Sequence, residues 1–236
     1  DRAVWHKMAE PGWLGILVTE QHGGLGLGLT EMAIVAKGLA RTLAPEPLAA
    51  AAVLAGTALA AGDNEELKRS QLPRLAGGDM LPALAWQEAP GMPDPAAASC
   101  VATPFEGGYK LSGVKRFVAG RAQADAWLVS ARAGADLVLL WIPRDTAGAR
   151  LGLETLADGR AFGTLSLEDA LAPKAHVIAK GRSAADALAV AFEHANGIAA
   201  AELSGVLERA FEMTLDYLRT RVQFGRPIGS FQALQH

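Results

Sequence analysis

The chain has 236 residues, 50% hydrophobic and 20% charged, with a net charge of −3 and a pI near 6.0. This is the balance of a soluble globular chain with length for one large domain or two to three small ones, and it excludes a general nucleic-acid surface. A single cysteine, Cys100, permits no internal disulfide, which fits a reducing, cytoplasmic setting with Cys100 as a small core residue.

Residues 1–79 read as helices separated by glycine and proline breaks. Trp5, Met8 and Ala9 mark a first helix that stops near Pro11-Gly12. The apolar run after Gly15 leads into a cluster of glycines with the look of a dinucleotide loop. However, Gly24-x-Gly26-x-x-Leu29 lacks the third glycine, and no βαβ pattern follows. His22-Gly-Gly has the look of an oxyanion loop, yet the chain contains no Gly-x-Ser-x-Gly elbow. The better account is a glycine-rich loop before a helix capped by Thr30 and running through Met32, Val35, Ala36 and Leu39. The stretch 48–62 carries no charge, but at 15 residues it is short of the roughly twenty a membrane span needs. Its alanines suit helices packed closely in a soluble bundle. Asp63-Asn-Glu-Glu-Leu-Lys-Arg then reads as a solvated helix start, acids first and bases later.

From about Met80 the period changes. Short strand candidates follow at 81–86, 99–105, 109–118, 126–132, 137–142 and 161–167, with Glu106-Gly-Gly108 as a hairpin turn. Six or more strands without intervening helices predict a small β-barrel or sandwich. Around Ser183 the helical period returns, with Phe192, Ala195, Ala199, Leu203, Val206, Ala210, Met213 and Tyr217 three or four apart. The expected organisation is α+β and multidomain: a helical bundle over 1–79, a β domain over 80–181 and the start of a second bundle over 182–236.

The last stretch, Arg221-Val-Gln-Phe-Gly-Arg-Pro-Ile-Gly-Ser-Phe-Gln-Ala-Leu-Gln-His236, closes the long helix. Gly225 is placed to end it in the left-handed conformation and Pro227 to prevent its continuation. Ser230 reads as the N-cap of another helix that breaks off after about one and a half turns, too short to hold itself in water, so a further C-terminal portion is expected. Arg221 offers a planar fork suited to two phosphate oxygens, with the Gln223 amide and Phe224 ring beside it. On spacing alone the corner is as readily a capped helix–turn–helix with a surface arginine.

Arg-x-Gln-Phe-Gly-x-Pro-Ile-x-x-Phe-Gln-x-x-Gln-His resembles the signature of the acyl-CoA dehydrogenase family. Gly12-Trp-x-Gly-Ile, Gly23-Gly-x-Gly-x-x-x-x-Glu and Leu72-Pro-Arg-Leu-Ala-Gly-Gly-Asp79 resemble its N-terminal helical domain, so the likeness runs nearly end to end. The resemblance implies FAD as cofactor and an acyl-CoA substrate, in lipid metabolism. It implies that Arg221, Gln223, Phe224 and Gln232 serve the diphosphate and adenine side of a neighbouring subunit's FAD. Homotetramers, homodimers and heterotetramers with a related subunit are all compatible with it. An electron-transfer flavoprotein or similar acceptor, and no nucleic acid, membrane or metal, complete that expectation.

The same resemblance implies flavin contacts from the β domain, and here the match thins. Relatives carry Thr-Glu-Pro-x-x-Gly-Ser-Asp where this chain has Gln87-Glu-Ala-Pro-Gly-Met-Pro-Asp94, following Trp86. Gln87 keeps a hydrogen-bonding side chain, whereas Pro93 replaces a hydroxyl and has no N–H. Gly-x-Lys-x-Trp-Ile-Thr-Asn-Gly becomes Gly113-Val-Lys-Arg-Phe-Val-Ala-Gly-Arg121, so Phe117 keeps an aromatic plane and Ala119 loses a hydroxyl. Desaturation of a thioester needs a carboxylate base. In some relatives it stands on the long helix, at the position of Ala195; otherwise it is expected beyond His236. Glu193 and Asn196 are then substrate-edge residues. Two alternatives stay open: a supporting subunit that completes a partner's FAD site, and a flavin oxidase or monooxygenase on the same scaffold.

Overall fold

A computed structural model describes residues 2–119, 124–155 and 161–236. Helix α1 (Arg2–Ala9) buries Trp5 and Met8. Helix α2 (Leu29–Ala40) starts two residues earlier than a Thr30 cap would place it. Gly28 is the N-cap, and its N–H donates to the Glu31 carboxylate at 2.9 Å, so Thr30 lies inside the first turn. The uncharged stretch forms a wide-turned helix over Leu48–Ala55 that tightens into α3 (Gly56–Ala60). Alanines permit this close packing: Ala51, Ala52, Ala55 and Ala58 are all buried. Helix α4 (Glu65–Ala76) is capped by Asn64, whose side-chain oxygen accepts the Leu67 N–H at 3.0 Å. Among the described residues no helix is long and apolar enough to cross a membrane.

The middle of the chain is one mixed sheet of eight strands: β1 (Pro82–Ala85), β2 (Val101–Phe105), β3 (Gly108–Ala119), β4 (Ala126–Ala133), β5 (Asp136–Pro143), β6 (Ala149–Thr155), β7 (Ala161–Pro173) and β8 (Val177–Lys180). Its order is β6-β7-β3-β2-β4-β5-β8, with β1 also on β4. The strands expected from sequence are present. β6 and β8 were not anticipated: β6 is a largely exposed edge whose apolar alternation, Ala149, Leu151 and Leu153, is short, and β8 has only four residues.

One detail of this topology positions everything that follows. β1 and β2 both run parallel to β4 along the same edge, β1 against residues 126–129 and β2 against Arg132 alone. The chain leaves the sheet after β1, loops through residues 86–100 and re-enters as β2. Opposite that opening, β3 pairs with β2 only as far as Ser112. A seam therefore lies between the second half of β3 and the start of β4. Central strands β4 and β5 are buried through nearly their whole length, since helices cover one face and the folded-over sheet the other.

Helix α5 (Arg182–Thr220) has 39 residues, a span of about 58 Å at ~1.5 Å per residue. Its first half buries Ala184, Ala187, Leu188, Ala191 and Ile198 against the sheet and helices. Farther out it touches α2. Arg41 forks onto Glu212 at 2.8 and 2.9 Å, and Lys37 pairs with Glu208. Gly205 lies so close to Lys37 that an added Cβ would run into the Lys37 carbonyl oxygen. The helix ends at Thr220, not at Gly225 as its sequence suggests. Arg221 is already extended (ψ 116°), and β9 (Val222–Gln223) turns back onto β10 (Arg226–Pro227). Phe224 (φ 53°) and Gly225 (φ 77°) both have positive φ. That is the requirement of a two-residue primed hairpin turn, and pre-proline Arg226 is biased to the extended form that receives it. Ser230 is likewise not a cap. It ends the short turn Ile228–Ser230, and Phe231 caps the last helix, α6 (Gln232–Gln235).

The α2–α5 approach gives a direct test. Gly205→Ala should lower stability by about 1–3 kcal/mol, the usual cost of forcing a group into a packed contact, read as a shift in the urea midpoint. A change within experimental error would show that the helices separate freely.

Candidate functional site

The residues expected to bind a cofactor fall into two groups that the fold holds far apart. The first lies at the seam. Trp86 and Gln87 leave β1, and the Trp86 ring meets Phe192 of α5 edge-on, with centroids 4.8 Å apart and planes at 81°. Asn196, one helical turn beyond Phe192, continues that face of α5. Glu193 is exposed and about 100° round the helix from Phe192. Ala195, three residues from Phe192, brings no carboxylate to this end.

On the facing strand, the β3–β7 ladder slips between Lys115 and Val118. Phe117 sits in that bulge with φ 53°, and the Arg116 guanidinium carbon lies 5.5 Å from its ring centre. Bulges re-aim side chains, and a bulky residue at positive φ is strained. Among the described residues four non-glycines have positive φ, and two of them, Phe117 and Phe224, are the aromatics expected at the cofactor. Backbone strain of this kind gathers at binding sites. Ala119 returns to the ladder opposite Phe162. The next two residues of the motif, Gly120 and Arg121, lie outside the described residues.

Sequence reasoning missed the most unusual group here. Lys115 points inward and its side chain is 0% exposed. Its ammonium donates to the Glu88 carboxylate at 2.5 Å, the Trp86 carbonyl at 3.2 Å and the Ser130 hydroxyl at 3.2 Å. Glu88 in turn accepts the N–H groups of Ser99 at 2.8 Å and Cys100 at 2.9 Å, together with the Ser99 hydroxyl. Burial pushes the Glu88 carboxyl up, but these hydrogen bonds outweigh it and hold the group below its usual range. Burial also pulls the Lys115 ammonium below its ordinary value, an effect Glu88 only partly offsets. Burial raises the nearby Cys100 thiol to about 11, so it is an inert core group. The signal in the sequence was the odd-numbered face of β3, on which Tyr109, Leu111, Gly113 and Lys115 alternate inward.

The second group lies at the far end of α5. Twenty-nine residues separate Phe192 from Arg221, a distance of roughly 44 Å along the helix. The hairpin register puts Gln223 opposite Arg226, and the Ile228 N–H donates to the Arg221 carbonyl at 2.9 Å. Arg221, Gln223 and Arg226 thus share one face of the ribbon. The Arg226 guanidinium carbon lies 4.2 Å above the Phe231 ring, and Phe231 meets Phe224 edge-on at 6.2 Å. Phe224 is 91% exposed, and Gln232 is exposed on α6.

These residues fit a flavin dinucleotide in two pieces. The seam offers aromatic planes and an amide for a ring system. The corner offers two guanidinium groups and an amide for a diphosphate, and among the described residues neither Arg221 nor Arg226 has a carboxylate partner. The distance between the pieces is greater than one dinucleotide spans. One chain therefore cannot close both ends of a single site.

Residues 1–79 match the model of the acyl-CoA dehydrogenase N-terminal domain, and residues 184–236 match that of its C-terminal domain. The acyl-CoA dehydrogenase FadE27 of Mycobacterium tuberculosis is 31% identical over 99% of this chain, which covers 60% of that protein. Among solved structures, the Tcur3481-Tcur3483 steroid ACAD G363A variant superposes with a TM-score of 0.86 at 33% identity, over 100% of this chain and 62% of that one. The ChsE4-ChsE5 complex from Mycobacterium tuberculosis does so at 0.87 and 31% identity, over 99% and 62%.

The ion pair at the seam sets a pH dependence. Because folding depresses the Glu88 pKa, its contribution is present above the unfolded value of 4.5 and is lost as pH falls through the lower folded value. Urea unfolding followed downward from neutral pH should therefore show a steeper acid limb for the wild type than for Glu88→Gln. Parallel acid limbs would show that the carboxylate is not linked to folding.

Proposed function

The chain belongs to the acyl-CoA dehydrogenase family, and on that premise we propose that it forms part of an FAD-dependent acyl-CoA dehydrogenase. The reaction is desaturation of an acyl-CoA thioester at its α and β carbons. The observation that carries this reading is the corner at Arg221: an intact family motif folded into a two-residue hairpin, with two arginines and an amide on one face and an exposed aromatic at its tip. A pair of guanidinium forks matches the oxygens of a diphosphate.

When bound, FAD accepts the hydride that leaves the β carbon. This chain's residues bind and orient. Arg221 and Gln223 hold the diphosphate of a neighbouring subunit's cofactor, with Phe224 and Gln232 on its adenine side. Trp86, Gln87, Phe117 and Ala119 frame the flavin ring of the chain's own site. Asn196 and Glu193 border the acyl thioester along α5. The α-proton requires a carboxylate, and neither Ala195 nor the exposed Glu193 supplies it. An electron-transfer flavoprotein or similar acceptor would reoxidise the flavin, and a cytoplasmic setting in lipid metabolism accords with this chemistry.

A second reading is favoured by Pro93 and Ala119, which remove two polar partners from the ring site. In it the chain lends its corner to a related subunit and holds no flavin itself. Assay of the protein alone for bound FAD and for acyl-CoA oxidation with an artificial acceptor separates the two. Near-stoichiometric FAD with turnover supports the enzyme; a colourless protein that gains FAD only with a related chain supports the lending subunit.

For either reading Arg221→Ala should weaken FAD retention by about 1.5–3 kcal/mol, the range for a hydrogen bond to a charged group. An unchanged dissociation constant would remove Arg221 from the site.

A further inference from the structure

We propose that Lys115 and Glu88 are positioning residues for the flavin ring site: their buried ion pair draws the 86–100 loop shut across the seam and fixes Trp86 and Gln87 toward the ring. This rests on the reading of the seam as a flavin site, and it gives a task to a charge the chemistry itself does not use.

A fully buried ammonium is costly, and an apolar side chain of similar volume fills such a place as well or better. Cohesion of the sheet therefore does not explain Lys115. Its partners do. The sheet already pairs β1, which ends beside Trp86, with β4, which carries Ser130, but it leaves the loop at Glu88 unpaired; Lys115 on β3 ties all three together across the seam. Glu88 fastens the other end of the loop through Ser99 and Cys100. Between these anchors, the Gln87 carbonyl accepts the Arg116 N–H at 2.7 Å. Residues 86, 87 and 88 are thus gripped in succession by β3. The Gln87 amide, which now donates to the Ala89 carbonyl at 3.1 Å, is left as the adjustable group of the segment. A ring-facing edge built this way depends on a polar latch behind it, and Arg116 and Phe117, which follow Lys115, belong to the bulge that shapes the other side.

The test compares the protein in its native assembly with Lys115→Met, the double variant Lys115→Met/Glu88→Gln, and Gln87→Ala in both backgrounds. Three quantities are read: thermal stability, amide hydrogen exchange across residues 88–100 in flavin-free protein, and the FAD dissociation constant. Lys115→Met should speed exchange in the loop and weaken FAD binding roughly tenfold or more, as expected for losing hydrogen bonds to a charged group. The double variant leaves no unpaired buried charge, so it should regain stability but not FAD affinity. Gln87→Ala should cost less FAD affinity in the Lys115→Met background than alone, because the two act through one geometry. FAD affinity that recovers together with stability in the double variant overturns the proposal, as does unchanged loop exchange in Lys115→Met. Wild-type protein with no affinity for FAD overturns the cofactor reading itself, and the proposal with it. FAD-binding wild type with unmoved variants overturns the proposal alone.

Discussion

A lysine ammonium sits, fully enclosed, at the place where an eight-stranded sheet comes open. The sheet needs that opening, because β1 and β2 share one edge of β4 and the chain must leave and re-enter between them. Water would ordinarily solvate the exposed strand edges of such a gap. Here the gap is filled by Lys115, its carboxylate partner and a serine hydroxyl, so the polar groups satisfy one another. The loop, the bulge at Phe117 and the contact of Trp86 with α5 all take their positions from that arrangement.

The molecule thus divides its proposed binding groups between two environments. At the seam they are half-buried, framed by strands and set by an internal charge. At the corner they stand in solvent on a two-residue hairpin, about 44 Å away along one helix. Apolar residues along the outer half of α5, among them Leu203, Leu207, Phe211 and Tyr217, are more than half exposed. Such a face is unusual for a helix standing free in water. Charged pairs to α2 hold the helix on one side only.

Much of this was legible in the sequence. The switch from helical to alternating period near Met80, the strands through residue 167 and the long helix all follow from spacing. Strand β6 carries only a short alternation, Ala149, Leu151 and Leu153 against Arg150, Gly152 and Glu154, and just the first two of its apolar residues are half-buried, so its period is weak. Gly225 was read as a helix cap because a glycine followed two residues later by proline suits a C-terminus as well as a hairpin. Only the extended backbone at Arg221 separates the two. Lys115 escaped for a different reason. Hydropathy assigns lysine to the surface, and its burial depends on Glu88, a partner twenty-seven residues away that pattern reading does not pair with it. The strained backbone of Phe117 and Phe224 is a property of tertiary register that no local propensity announces.

The length of α5 has a mechanical side. With the sheet as fulcrum, a swing of the helix by about 5° would carry Arg221 roughly 4 Å, given ~1.5 Å per residue over the arm. That is more than a hydrogen bond to a phosphate tolerates. The brace against this swing is the close approach of Gly205 to Lys37 and the arginine fork at Glu212. The outer of the two, at Glu212, shortens the unsupported arm to about nine residues, or roughly 14 Å. The accuracy with which the chain presents its guanidinium groups is therefore set by contacts with α2, a helix that holds none of the proposed binding residues.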